Sequence, residues 1–375
     1  MKCVIAVVLI LCLLLPGCAQ PETQEGLGNG WEPVSTMELQ FAHEFSVEYY
    51  DGGYKLITLG DGSRFLVIPE DGQLPRGIAR DIQPLYQPIE NMYLAATSAM
   101  CLFDGLDRLD AITLSGTQAQ GWHIDNARLA MEQGSIRYAG KYSEPDYELI
   151  LGSNCELAIE STMIGHASEV KDKLEELGIP VLIDQSSHET HPLGRTEWIK
   201  LYAALLNEEE KAEQLFSQQT AYMNEAAGQE STGKTVAFFH ISSAGYVVAR
   251  KSGDYVSRMI ELAGGEYVFS DLGDPETATS TVTIEMETFF ATAKDADYII
   301  YNSAITGEVE TLDALLSMSE LLRDFKAVQN GNVWCTGQNM FQETMQLGQM
   351  IQSFHTMLTS TDPNLTELDY LYKLQ

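Results

Sequence analysis

The chain has 375 residues, 45% of them hydrophobic and 20% charged, with a formal net charge of −32. That length and balance suit a globular protein of two domains with cores of their own. The acid excess argues against sequence-independent nucleic-acid binding, which needs a basic footprint, and leaves an acidic, water-facing surface.

Lys2 precedes an apolar run over residues 4–15, which is followed by Leu15-Pro16-Gly17-Cys18. The run is too short to span a membrane comfortably and has the form of a secretory signal. A small residue directly before Cys resembles the lipobox of bacterial lipoproteins. The resemblance implies a lipid on Cys18, which becomes the mature first residue; an ordinary signal peptide is the alternative, and both imply export. Residues 1–18 are therefore expected to be signal and lipobox, and residues 19–40, which open AQPETQEGLGN, a flexible tether. Cys3 and Cys12 leave with the signal. Cys101, Cys155 and Cys335 form no disulfide framework and no CxxC, so they are expected as small buried hydrophobes.

Residues 41–87 alternate apolar and polar around the turn signals Asp51-Gly52-Gly53 and Gly60-Asp61-Gly62, which predicts a three-stranded β-meander appended to the first α/β lobe. That lobe is expected over residues 88–193, where strand and helix patterns alternate. Strands are expected at 89–95, 111–114, 157–160 and 180–183, and helices at 97–109, 125–133, 145–148 and 169–177. Such alternation implies a parallel sheet with both faces covered, and ligands of such sheets bind beyond the strands' carboxyl ends. Residues 194–229 predict a helical spine. Trp198, Leu201, Tyr202 and Leu205 recur on one helical face, and Ala212, Leu215, Phe216 and Tyr222 on the next. Asn207, with Glu210 three residues later, has the form of a cap between the two runs. Residues 230–360 repeat the alternation, with strands at 236–240, 246–250, 298–302 and 332–336 and helices at 254–263, 286–293, 312–323 and 346–358. Residues 361–375 close the chain as a polar tail. The fold class expected is α/β, two Rossmann-like lobes joined by a long spine helix, with a small N-terminal β-meander. An internal echo supports two related lobes: Glu148 opens an amphipathic helix leading to a buried strand ending at Glu160-Ser161, and Glu287 opens another leading to Tyr298-Ile299-Ile300-Tyr301.

These pieces together resemble the substrate-binding lipoproteins of bacterial ABC importers, in the branch serving ferric siderophores, haem and vitamin B12. The resemblance is carried by residues 145–160, by LEELGIPV at 174–181, by residues 205–215, by IELAGG at 260–265 and by FKAVQNGNVW at 325–334, and it covers roughly residues 88–358. It implies a non-enzymatic protein without cofactor, a monomer, in which two lobes flank a helix and ligand binds between them. It further implies delivery to permease and ATPase subunits, with one exposed acid on each lobe pairing with permease arginines. Glu148 matches that position in the first lobe and Glu287 in the second, with Glu285 close by. About sixty mature residues precede the first lobe, a departure from the family's common pattern. The strand ends are poor in cationic residues, so a highly anionic ligand is not expected.

Candidate ligand contacts lie on loops at strand ends. In the first lobe they are Tyr93, Ser98, Trp122, His123, Lys141, Tyr142, Glu160, Thr162, Met163 and His188; in the second they are His240, Ser242, Tyr246, Asn302, Asn339 and Met340. Aromatics and Met offer broad apolar contact to a large planar or macrocyclic ligand, and His, Tyr or Met suits an axial position on a bound metal centre. Trp122-His123, in a Gly-flanked loop, is expected either as an exposed aromatic or as the loop's anchor. His188-Glu189-Thr190-His191 lacks the HExxH spacing and precedes Pro192 in a loop, so a loop or hinge role is favoured over metal ligation. Two other functions stay open: a receptor for free zinc or manganese, which needs three or four converging His and carboxylate ligands, and a secreted α/β hydrolase, for which GxSxG, HExxH and a phosphate loop are absent. The site expected is a cleft for a metal complex on an extracytoplasmic, lipid-anchored protein.

Overall fold

The structure, a computed structural model, describes residues 27–28, 30–274 and 280–375. The expected signal, lipobox and first part of the tether lie outside them. The chain enters through a five-stranded sheet: β1 (Ser35–Thr36), β2 (Phe45–Tyr49), β3 (Lys55–Leu59), β4 (Arg64–Ile68) and β5 (Ile82–Tyr86). The first four strands run antiparallel in sequence order and β5 adds parallel to β4. Alternation gives this sheet two apolar faces. Phe45, Val47, Ile57, Leu59, Phe65, Val67 and Leu85 turn inward into the main core with Trp198 and Tyr202. Tyr50, Leu56, Leu66, Ile68 and Ile82 turn outward into a separate cluster with Leu27, covered by Trp31, Tyr54, Ile78 and Ala79. The meander is thus part of a larger sheet, and it is built onto the spine rather than hung from the first lobe.

The first lobe comprises β6 (Met92–Leu94), α1 (Met100–Gly105), β7 (Ile112–Ser115), α2 (Asp125–Glu132), β8 (Arg137–Tyr138), the hairpin β9 (Gly140–Lys141) and β10 (Glu144–Pro145), α3 (Tyr147–Gly152), β11 (Leu157–Ser161), α4 (Ser168–Glu176) and β12 (Val181–Asp184). Its sheet is parallel in the order β12-β11-β6-β7-β8. The chain winds one way from β6 to β8 and then returns to the other side of β6, which opens a crevice beyond the carboxyl ends.

The spine is three helices: α5 (Pro192–Glu197), α6 (Ile199–Leu206) and α7 (Glu209–Ala227). Every residue of α6 is buried. Asn207 ends α6 in the left-handed conformation, φ 59° and ψ 40°, which Asn tolerates better than most residues. It does not cap α7 as expected. Its Oδ1 accepts from Lys55 Nζ at 2.7 Å and Gln87 Nε2 at 3.0 Å, so the side chain is spent on the N-terminal sheet and its exit.

The second lobe holds β13 (Lys234–Ile241), β14 (Val247–Arg250), α8 (Tyr255–Leu262), β15 (Gly265–Tyr267), β16 (Thr281–Ile284), α9 (Met286–Ala293), β17 (Tyr298–Tyr301), α10 (Ser303–Thr306), α11 (Leu312–Met318), α12 (Lys326–Gln329), β18 (Val333–Thr336), α13 (Leu347–Thr359), β19 (Glu367–Leu368) and β20 (Leu371–Lys373). The order is β16-β14-β13-β17-β18-β20-β19, with β15 along the first half of β13. β13, β17 and β18 are parallel, while β14, β16 and β20 run against their neighbours. The mixed sheet follows from connection length: β13 reaches β14 through a tight turn at Gly245, φ 84°, and a turn that short joins only antiparallel strands. The expected polar tail instead completes this sheet, with Leu371 and Leu374 buried. Helix α13 lies against α7 so closely that a Cβ at Gly348 would strike the Gln219 backbone.

Candidate functional site: the cleft between the lobes

A cleft of about 220 Å³ opens where the two lobes and the spine meet. The first lobe contributes Ser98, just beyond β6, and Ser187, just beyond β12; the spine contributes Arg195 from α5. The second lobe contributes Arg250 at the end of β14, Asp254 and Tyr255 at the start of α8, Ser280, Met340, Phe341 and Thr344 from the passage between β18 and α13, and Leu347 at the start of α13.

Two arginines stacked on aromatic rings dominate its chemistry. The Arg195 guanidinium lies 3.8 Å from the centroid of the Tyr255 ring. Its Nη2 donates to the Ser187 carbonyl at 2.8 Å, which fixes the plane of the fork. Burial pulls the Arg195 pKa below its usual value and pushes that of Tyr255 up; a guanidinium keeps its proton even so, and the pair is a cation over a neutral phenol. The Arg250 guanidinium sits 5.0 Å from the Phe341 centroid and 3.4 Å from the Asp254 carboxylate. Asp254 is buried and already accepts from the amides of Val256, where it caps α8, and Ser280. Two cations against one committed carboxylate make the lining basic in a chain whose net charge is −32. Sequence reasoning missed both arginines because it searched the carboxyl ends of parallel strands. Arg195 comes from the last turn of the short helix α5, within GRTEW, and Arg250 from an antiparallel strand.

The lobes also touch beside the cleft. Gln342 Oε1 accepts from the His123 amide at 2.8 Å and Gln342 Nε2 donates to the Gly121 carbonyl at 2.7 Å. Thr196 Oγ1 donates to the Thr344 carbonyl at 2.8 Å, and the Met345 amide approaches Cys101 Sγ at 3.4 Å.

Of the residues singled out in the sequence, Ser98 and Met340 line the cleft. Thr162 is one contact away, its Oγ1 3.0 Å from Ser187 Oγ. His240 is half-buried; burial and then the Arg250 charge lower its pKa. Asn339 lies in the lining passage, and its carbonyl accepts from the Gln342 amide. Ser242 and Tyr246 form the β13–β14 turn, with Tyr246 exposed. His188 and Met163 are exposed; Lys141 is exposed and paired with Glu144 at 3.2 Å, and Tyr142 packs at the edge of the outer core of the first lobe. Asn302 is buried, its Oδ1 without a hydrogen-bond partner. Tyr93 lies in the outer core, donating to the Gly140 carbonyl at 2.9 Å. Trp122 is buried, and its Nε1 donates to Ser115 Oγ at 3.2 Å, so the indole anchors its loop rather than lining the cleft. Glu160 is fully buried with neither oxygen hydrogen-bonded, and burial pushes its pKa up to about 8.

In His188-Glu189-Thr190-His191 it is the acid that is put to use. Glu189 accepts from the amides of His43 and Glu44 and from Trp198 Nε1, and Glu197 accepts from those of Gln40, Phe41 and Ala42. His191 caps α5 through Nδ1 and stacks on Phe41 with centroids 4.1 Å apart; burial lowers its pKa to about 4. Among the described residues, no three His, Cys, Asp or Glu side chains gather as metal ligands would. Cys101 and Cys335 are buried, Cys155 is half-buried, and all three are free. Glu148 and Glu287 are exposed in the first turns of α3 and α9, the same position of the helix–strand unit that each lobe repeats.

An uncharacterized lipoprotein of Methanocaldococcus jannaschii is 24% identical over 371 aligned residues, covering 89% of this chain and 87% of that protein. A second uncharacterized lipoprotein of the same organism is 25% identical, covering 79% and 76%. Among solved structures, the petrobactin-binding protein YclQ of Bacillus subtilis superposes with a TM-score of 0.60 at 11% identity, over 82% of this chain and 99% of that one. The haem-binding protein HutB of Vibrio cholerae gives 0.58 at 17% identity, over 70% and 97%. These likenesses establish the fold. The family described as periplasmic binding protein matches residues 112–340, more than half of the chain. The chain therefore belongs to the periplasmic binding protein family.

Proposed function

We propose that this protein is a lipid-anchored, extracytoplasmic receptor that captures a metal complex between its lobes and hands it to an ABC importer. The observation that carries the ligand reading is the pair of arginines over aromatic rings, Arg195 on Tyr255 and Arg250 on Phe341, lining one cleft. Flat cations on aromatic rings, with Met340 and Leu347 beside them, suit a ligand with anionic oxygen donors and a broad apolar body. A ferric siderophore or a haem has that chemistry, and the haem- and petrobactin-binding relatives in fold lend support. A corrinoid offers the apolar body with less anionic charge.

Ser98, Thr162, His240, Asn339 and Met340 are the ligand contacts favoured among the sequence candidates. Glu148 and Glu287 are proposed as the acids that dock the permease, one on each lobe; charges so exposed set register and encounter rate more than affinity. Cys18 is proposed to carry the lipid, and the lipoprotein relatives support this. We divide the chain into signal to residue 18, tether to 26, N-terminal sheet to 87, first lobe to 191, spine to 229 and second lobe beyond; the tether is shorter than the sequence suggested, because Leu27 is buried and Ser35–Thr36 pair with β2.

The test is an absorbance spectrum and an intact mass of the protein purified from its native host. A co-purifying chromophoric metal complex, lost from a variant with both Arg195 and Arg250 changed to Ala, supports the reading. Free zinc or manganese bound with high affinity, and no complex, overturns it.

A further inference from the structure

We propose that the outer face of the N-terminal sheet is the surface this protein rests against the membrane; this builds on the lipid assigned to Cys18 above. The described chain starts on that face. Leu27 is 1% exposed, packed into the outer cluster with Tyr50, Leu56, Leu66, Ile68 and Ile82. Trp31 comes next with its ring against Tyr54, centroids 5.1 Å apart. The chain is therefore held on this face at Leu27 and again at Trp31, and Cys18 precedes Leu27 by only nine positions. Nine residues reach at most about 30 Å fully extended and roughly 16 Å as a relaxed coil. A folded chain of this length is roughly 50 Å across. A lipid at Cys18 thus holds this face, and no distant one, beside the bilayer.

The face itself suits that neighbour. Val34 is 60% exposed, Leu74 43% and Tyr86 52%, respectively before β1, on the β4–β5 connection and at the end of β5. In β5 the strand period puts Tyr86 on the same side as Ile82, and Leu85 faces inward. Residues 64–81 carry three arginines against Glu70, Asp71 and Asp81, which makes the segment formally neutral in a chain of −32. Acidic repulsion of anionic headgroups is therefore weakest along this segment, while Glu48 and Glu32 lie beside Tyr50 on the same face. Exposed Leu, Val and Tyr at such a place form the shallow apolar contact that complements a single lipid anchor.

The test is hydroxyl-radical footprinting of the full-length lipoprotein on vesicles of phosphatidylcholine with a minority of phosphatidylglycerol, compared with the Cys18→Ser protein free in solution. Intact mass reports the lipid independently. Expected is severalfold lower labelling of Trp31, Val34, Leu74 and Tyr86 on vesicles, with Ile305 and Met318 on the second lobe unchanged. Changing Val34 and Leu74 together to Asp, at positions too exposed to unfold the sheet, should restore labelling of Trp31 and Tyr86. A lipidated protein whose outer face labels equally in both forms, or which is protected at Ile305 and Met318 instead, overturns this inference and leaves the anchor standing. A protein without lipid on Cys18 overturns both.

Discussion

Gln342 clasps the main chain at His123 across more than two hundred residues of sequence, accepting from its amide at 2.8 Å while donating to the Gly121 carbonyl at 2.7 Å. The contact joins the passage between β18 and α13 to the Trp122 loop of the first lobe. Trp122 gives the clasp a rigid seat, because its buried indole is itself bonded to Ser115. Gln342→Ala removes both bonds from a partly water-exposed site, so the expected loss of stability is small, about 1 kcal/mol. The larger expected effect is on the distance between the lobes. Small-angle scattering of the ligand-free variant should show a wider distribution than wild type, and ligand should dissociate faster. Identical profiles would mean the lobes are held elsewhere.

Arg195 separates charge from shape. Arg195→Lys keeps the cation but loses the flat face on Tyr255 and the fork onto the Ser187 carbonyl. Ligand affinity should drop by about tenfold, in keeping with 1–2 kcal/mol for a desolvated cation–π contact. Isothermal titration with the complex that co-purifies measures it; a Lys variant binding as tightly as wild type would reduce Arg195 to a point charge.

Glu160 sets a pH dependence whose sign is fixed. Its folded pKa is raised to about 8 by burial, whereas an unfolded glutamate titrates near about 4.3. Between those values the folded protein keeps a proton that the unfolded chain has released. The stability contributed by this group is therefore greatest at low pH, falls as pH rises through the interval, and levels off above about 8. Glu160→Gln should flatten that fall, so its melting temperature gains on wild type as pH rises from 5 to 8 in a thermal series, to within about one unit of these limits. Parallel curves would remove Glu160 as the cause.

The N-terminal sheet is tied down by two buried carboxylates. Glu197 is fully buried, accepts three consecutive amides from Gln40 to Ala42, and pairs with Lys200 at 3.1 Å. Glu197→Ala strands three amides and should cost about 3 kcal/mol, while Lys200 keeps Glu213 at 2.8 Å and the Glu38 carbonyl at 3.2 Å. Hydrogen exchange should show the loss concentrated in residues 38–59; a uniform loss would place the weakness in the spine instead.

Much of this architecture was legible in the sequence because its signals are local. Periodicity located α8, α9 and α13 to within a residue or two, and the Asp51-Gly52-Gly53 turn located β2 and β3. What escaped was set by distant partners. The three-residue strands β15 and β20 exist because β13 and β18 offer free edges, and so short a run carries no period of its own. Tyr93 was expected in the cleft because both faces of a central strand look alike in sequence; only the packing of the Gly140 hairpin turns it outward. Arg195 and Arg250 were hidden for the converse reason. Each reaches the cleft from an element whose direction depends on how the lobes are joined, and the aromatic rings beneath them come from residues 60 to 91 positions away.

The measurement that bears most directly on the receptor reading is a thermal-shift series on wild type and on the Arg195→Ala and Arg250→Ala variants, with haem, cobalamin, ferric siderophores and free metal ions. A ligand that binds only the folded state raises the melting temperature by an amount that grows with the logarithm of its concentration over its Kd. The expected result is a shift with one class of metal complex, reduced in both variants and absent with the free ions. A shift with free zinc or manganese alone, indifferent to both arginines, would contradict the receptor reading.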